Sequence, residues 1–523
     1  MVRSAVLVLL CTVRLHAQVS HPHGTLERLG SVHFATSCAP AVAPDFDRAV
    51  ALLHSFEFGA SMRAFTSIGQ ADSTCAMAYW GIALSRWGNP MAPVSRAPAQ
   101  LEFGRQAAES AIRLSASTTK RERGYAAAVR ELFADVEHRD QRTRIDAYER
   151  AMDALAVSQP ADTEAQIFHA LSLVASALPT DKTYAKQLQA GAILESIWAR
   201  QPNHPGLAHY LIHAYDLPAL APRARIAAQR YADIAPSAAH ALHMPSHTFT
   251  RVGQWRESIA TNRRSIEAAK QEANISEMLH ASDYMEYAYL QMGRTAEAKA
   301  VLDGLPALAA QFDASAVTGA APGSAGVFAL AAMPARYALE RGEWAEAAAL
   351  VPASTTYPYA DALTHFARAL GAAHRGDVAA AQASADAIVG LRARLLAANE
   401  EYWAEQLAIE ETGARAWIAF AEHRSDEALR QMREACVRED ATEKSAITPG
   451  PLAPARELLA EMLMALDRPA DALVEYRNTL TREPNRYRSL DGARRAAGAA
   501  GDGAAETQYA AQLRATTSGS RPE

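Results

Sequence analysis

Two histidine pairs, His209/His213 and His243/His247, recur 34 residues apart in this 523-residue chain. Within each pair the spacing of four puts both imidazoles on one face of an α-helix. Thirty-four residues is also the length of a common helix–turn–helix repeat, so residues that far apart hold equivalent places on neighbouring helices. The two pairs are therefore expected to meet. Extending the register adds to the patch. If Gly253 and Gly293 are the turn residues of two successive repeats, positions 2, 5 and 9 of the first helix are His240, His243 and His247 in one repeat. In the next they are His280, Asp283 and Tyr287, and His209 and His213 hold positions 5 and 9 of the repeat before.

Imidazole and carboxylate at this density suit a divalent transition metal. Two histidines at i and i+4 can bite one ion, and a neighbouring helix can supply the next ligand. The expected ligands are His209, His213, His243, His247, His280 and Asp283. Zinc is the first choice, and iron, copper and nickel also accept imidazole. His240, Tyr210, Tyr284, Tyr287 and Arg251 are expected around them in the groove. The tyrosines can hydrogen-bond a ligand, and Arg251 can meet an anionic group. A second reading stays open, in which the histidines pack between helices or read a ligand by hydrogen bonds alone. Pro245 lies inside the second pair, where it removes an amide donor and can kink the helix. No His-Glu-x-x-His string supplies the general base of a zinc protease, so catalysis is not implied by these residues.

The elements that must position this patch are helices. Hydrophobic residues make up 49% and charged residues 21% of the chain, which fits a folded protein with a substantial core. Alanine-rich runs favour closely packed helices. Turn residues recur at Gly253, Gly293, Gly342, Gly376, Asp467 and Gly501, with Ser258, Ala298, Ala347, Ala381 and Ala472 five positions after the first five. A left-handed residue turns the chain between antiparallel helices, and the small residue lets the second helix approach the first. One such hairpin cannot bury its apolar face alone, so neighbours stack into a solenoid. No stretch shows sustained strand-type alternation. The expected fold is all-α, an α-solenoid of tetratricopeptide-like helical hairpins. The formal charge of −6 leaves no basic footprint for nucleic acid.

The chain resembles bacterial exported tetratricopeptide-repeat proteins through several strings. These are Ala76-Met-Ala-Tyr-Trp-Gly81, His204-Pro-Gly-Leu-Ala-His-Tyr-Leu-Ile-His213, His243-Met-Pro-Ser-His247, Asp283-Tyr-Met-Glu-Tyr-Ala-Tyr-Leu-Gln-Met-Gly293 and Thr448-Pro-Gly-Pro-Leu-Ala-Pro-Ala-Arg-Glu457. The resemblance implies fold and export rather than a reaction. It also implies that positions 2, 5 and 9 face a concave groove, where repeats of this class bind proteins or peptides.

Residues 1–17 read as a signal peptide, with Arg3 before the apolar run Ala5 to Val13 and small Ala17 before a cut. The expected location is periplasmic or secreted, and no later stretch is apolar and long enough to span a bilayer. In an oxidising compartment Cys38 and Cys75 can pair. An N-terminal array (residues 18–312) carries the histidines. A Gly/Ala/Ser-rich loop (313–328) separates it from a C-terminal array (329–516) and a tail (517–523). Ser445 to Pro454 is a second break. Glu457 and Glu461 are expected on a solvated face, and His54 with Glu57 as an ordinary helix pair. Two functional readings follow. One is a binding or scaffold protein taking a protein, peptide or small molecule in a histidine-rich groove that holds a divalent metal. The other is a metal-dependent hydrolase or oxidoreductase using the same cluster.

Overall fold

The computed structural model describes residues 27–92, 96–316 and 319–518. The signal segment 1–17 and most of the tail lie outside the described residues. Among those described, every regular element is an α- or 3₁₀-helix. Consecutive helices pack against each other along the chain, as Trp255–Gln271 does against Ile275–Gln291 and Pro358–His374 against Val378–Ala397. The protein is an α-solenoid of tetratricopeptide-like hairpins.

The hairpins form where the turn and small-residue pattern places them. Gly253 takes φ +67°, and a Cβ there would lie 2.3 Å from the Pro484 carbonyl oxygen, so both conformation and space demand glycine. Asp467 makes the equivalent turn at φ +56° without being glycine. Ser258, Ala298, Ala347, Ala381 and Ala472 are each fully buried at the helix–helix contact. Trp80 fills the first core with Phe34, Tyr125 and Phe168 packed on it.

Several boundaries differ from the sequence reading. Within the segment 313–328 the last six residues are helical: the extended backbone of Pro322 caps a helix running Gly323–Glu340. Small residues there pack closely on Ile275–Gln291 instead of remaining flexible. The N-terminal core extends to Phe249 with Ala320 added, two smaller clusters around Trp255 and Leu279 follow, and the C-terminal core starts at Ala321. Glu457 is buried, not solvated, because Arg486 clamps both its oxygens at 2.8 and 2.9 Å. Cys38 and Cys75 lie within bonding distance, Sγ–Sγ 2.04 Å.

Late repeats return to the middle of the chain. Trp255 donates its indole N–H to the Asn485 carbonyl at 2.9 Å, and Gln291 accepts the Tyr487 amide at 2.9 Å. Lys182 reaches Glu443 at 2.7 Å. No helix among the described residues is long and apolar enough to cross a membrane.

Candidate metal centre

The centre is built on first helices of successive repeats. His209 and His213 come from Pro205–Ala214. His240 and His243 come from Ala239–His243, His247 from Pro245–Arg251, and His280 from Ile275–Gln291. Pro245 does interrupt its helix, but Met244 keeps right-handed helical angles (φ −53°, ψ −35°), so the two short helices stay in line. That alignment brings the paired rings to a centroid separation of 5.0 Å. All six imidazoles are buried, the most exposed being His213 at 7%. They form one contiguous patch. His209 lies 5.0 Å from His240, His240 5.9 Å from His243, and His243 4.4 Å from His280, centroid to centroid.

Within the patch are two trios whose candidate ligand atoms lie within 4.8 Å of one another, His209/His213/His240 and His243/His247/His280. The second is the better defined. Asn262 donates its amide N–H to the Ser258 carbonyl at 2.8 Å, which leaves its Oδ1 to accept from His243 Nδ1 at 2.7 Å. His247 Nδ1 donates to Asp216 Oδ2 at 2.9 Å. Both Nδ1 atoms therefore carry protons, and both Nε2 atoms carry lone pairs. Yet these two Nε2 atoms lie only 3.0 Å apart. Two acceptors at that distance repel unless a cation stands between or beside them. A proton is a poor candidate, because burial pushes His243 down to about 3 and His247 down to about 4, the latter despite Asp216. A metal fits: with Zn–N near 2.0–2.1 Å, two nitrogens on one tetrahedral ion stand roughly 3.3 Å apart. His280 is likewise held neutral by burial and by its histidine neighbours, and its Nδ1 is buried without a partner.

The ring orientations are set from behind, as metal-bound histidines usually are. Burial works against the Asp216 carboxylate, but Lys444, Arg251 and His247 outweigh it and hold its pKa well below the ordinary value. Arg251 Nε bonds Asp216 Oδ1 at 2.9 Å, and Lys444 Nζ lies 3.5 Å from Oδ2. Tyr284 stacks on His247 at 4.8 Å and donates to the carbonyls of Ala446 and Thr448 at 3.1 and 3.0 Å. The Ser445–Pro454 break therefore folds over the patch and encloses it.

Other singled-out residues have different surroundings. Asp283 faces Arg336 at 3.4 Å rather than joining either trio, and burial raises its carboxyl to about 6 against the pull of Arg336. Tyr287 accepts from Arg486 at 3.1 Å. Tyr210 bonds His54 Nδ1 at 2.9 Å. His54 is not in an ordinary helix pair with Glu57: its Nε2 and that of His204 each lie 2.9 Å from Glu164. Those two nitrogens already have partners, so this third cluster is a buried polar strut. It nonetheless supports the patch, since the His54 carbonyl accepts from His209 Nδ1 at 2.6 Å.

The residues that orient the rings, Asp216, Asn262, Glu277 and Lys444, were not among those the sequence singled out. None lies one repeat from another, and the positions 2, 5 and 9 rule does not select them.

No family model and no curated protein matches the chain. Among solved structures it is similar to an IFIT1 monomeric mutant with Gppp-AAAA, at 11% identity over 91% of this chain and 95% of that one, TM-score 0.38. It is also similar to the APC/C hetero-tetramer Cut9-Hcn1, at 9% identity over 90% and 93%, TM-score 0.33. Neither likeness bears on activity, and the fold assignment rests on the hairpins described above.

Proposed function

We propose that this is an exported helical-repeat protein whose function depends on a divalent transition metal, zinc first, held by His243, His247 and His280. The observation that carries this reading is the 3.0 Å approach of the His243 and His247 Nε2 atoms, with both Nδ1 atoms committed elsewhere. Three protein ligands leave a coordination position for a ligand or water. When bound, the ion supplies Lewis acidity at that position. This chain's own groups do the rest. Asp216 and Asn262 fix the two tautomers, Tyr284 packs one ring face, and the 445–454 segment keeps bulk water away.

Burial of the rings beside a space of about 10 Å³ supports a water-sized ligand at the centre, not a peptide lying along an open groove. Export is supported by the signal-like residues 1–17 and by the Cys38–Cys75 pairing, which suits an oxidising compartment. The test is elemental analysis of purified wild type and of His243→Ala/His247→Ala after zinc loading and desalting. Bound metal in the wild type and its loss from this site in the double variant are expected. Wild-type protein with no retained metal overturns the reading.

A further inference from the structure

The His209/His213/His240 trio has a feature that packing alone does not explain. Each ring buries its Nε2, and no group among the described residues offers any of the three a hydrogen bond. Buried polar atoms are nearly always paired. The opposite edges of two of these rings are anchored. His209 Nδ1 donates to the His54 carbonyl at 2.6 Å, and His240 Nδ1 lies 3.3 Å from Glu277 Oε1. A ring held from behind, with a bare Nε2 in front, is the arrangement of a metal ligand with its outer support. Here it occurs beside the His243/His247/His280 trio. His213 and His247 are 6.1 Å apart by centroid, and His240 and His243 are 5.9 Å apart.

The two trios also share one space. His213 and His240 from one, and His247 and His280 from the other, line a small cavity of about 10 Å³, room for a single water-sized group, beside Pro322 and Ile447. Charge narrows what this space takes. Six neutral imidazoles bring no negative charge to two divalent ions. The nearest carboxylates act from behind the rings, Asp216 through His247 and Glu277 through His240. Asp216 is already countered by Arg251 and Lys444. Two divalent ions held at the front would therefore carry charge that the rings do not neutralise, and a small anion in the cavity would lower it.

We propose that His209, His213 and His240 bind a second ion of the same kind, making a two-metal centre whose shared cavity accepts a water-sized anion, hydroxide or fluoride, in contact with both ions. This rests on the first site being a metal site. Its failure can be told apart from the failure of that reading by counting ions.

Metal-free protein is loaded with Zn²⁺, desalted and analysed for metal per chain. Two ions are expected in the wild type. One is expected in His213→Gln/His240→Gln, and one in His247→Gln/His280→Gln. With Cu²⁺ as the probe, magnetic coupling should make the wild-type paramagnetic signal weaker per copper than in either one-ion variant. Fluoride, an anion of water size, should perturb the wild-type absorption spectrum in a way that neither variant reproduces. A wild-type stoichiometry of one, unchanged in His213→Gln/His240→Gln, overturns the second ion and leaves the first site standing. A stoichiometry of zero overturns both. The wild-type count decides the matter even if a variant misfolds, which circular dichroism would reveal.

Discussion

Asp216 does the most at the level of single residues, because its two oxygens join His247, Arg251 and Lys444. It fixes the His247 tautomer and, among the described residues, is the one carboxylate bonded to a ring of the His243/His247/His280 trio. Asp216→Asn removes the charge while keeping the shape. The expected result is zinc binding weakened by about 10- to 100-fold, the usual effect of losing an outer-shell partner, as measured by competition with a chelating dye. Unchanged affinity would mean that His247 is not a ligand. Four of the histidines were legible in the sequence because one periodicity, 34 on top of 4, placed them, and His240 and His280 followed from the turn register set by Gly253 and Gly293. Their supporting partners were not. Asp216 sits in the turn after its helix and Asn262 on a second helix, and nothing in their spacing marks them. Asp283, which fell in the right register, turns to Arg336 because a buried guanidinium is a stronger partner for a carboxylate than a neutral ring.

Among the elements, the hairpin turns were the most legible, since a left-handed residue followed by a small one has a local steric cause. Loops were less so. The Pro-Gly-Pro segment at 449–451 announces a break but not its direction, and only the fold shows that it covers the histidines, with the Gly450 and Pro451 carbonyls 3.4 Å from Arg336. The N-terminal segment has a different tether. Residues 27–39 lack helical structure, and hydrogen bonds such as those from Phe34 N–H to Asp47 and from Ser37 to Glu122, the packing of Phe34 on Trp80 and the Cys38–Cys75 link together fasten them to the first hairpins. The bridge closes a span of 37 residues. For a loop of that length, chain-entropy arguments give roughly 3–4 kcal/mol. Cys38→Ser/Cys75→Ser is therefore expected to lose about that much in denaturant unfolding under oxidising conditions. Under strong reductant wild type and variant should converge. A difference that persists in reductant would place the effect in packing rather than in the bond.

Over the whole molecule, the centre stands where two cores meet. His209, His213, His240, His243 and His247 come from helices packed on the first, His280 from a helix packed on smaller clusters between the two, while Lys444, Ala446 and Thr448, which close the centre, come from the chain around the second. Trp255–Asn485 and Gln291–Tyr487 bond the same two regions farther out. Metal that binds only the closed arrangement stabilises both regions together. At a thousandfold excess over its dissociation constant, an ion adds about 4 kcal/mol to the native state. In a chain of this size, whose unfolding entropy is on the order of 1 kcal/mol per kelvin, that is a rise in Tm of roughly 4 °C. Calorimetry of zinc-loaded and chelated protein should thus show one transition that moves as a whole. If the two regions were only loosely joined, two transitions would appear, and only that of the histidine-bearing half would shift with metal. The contacts from Lys182 to Glu443 and from Arg486 to Tyr287 tie late repeats to early ones at both sides of the centre, and they are what make the single transition the expected outcome.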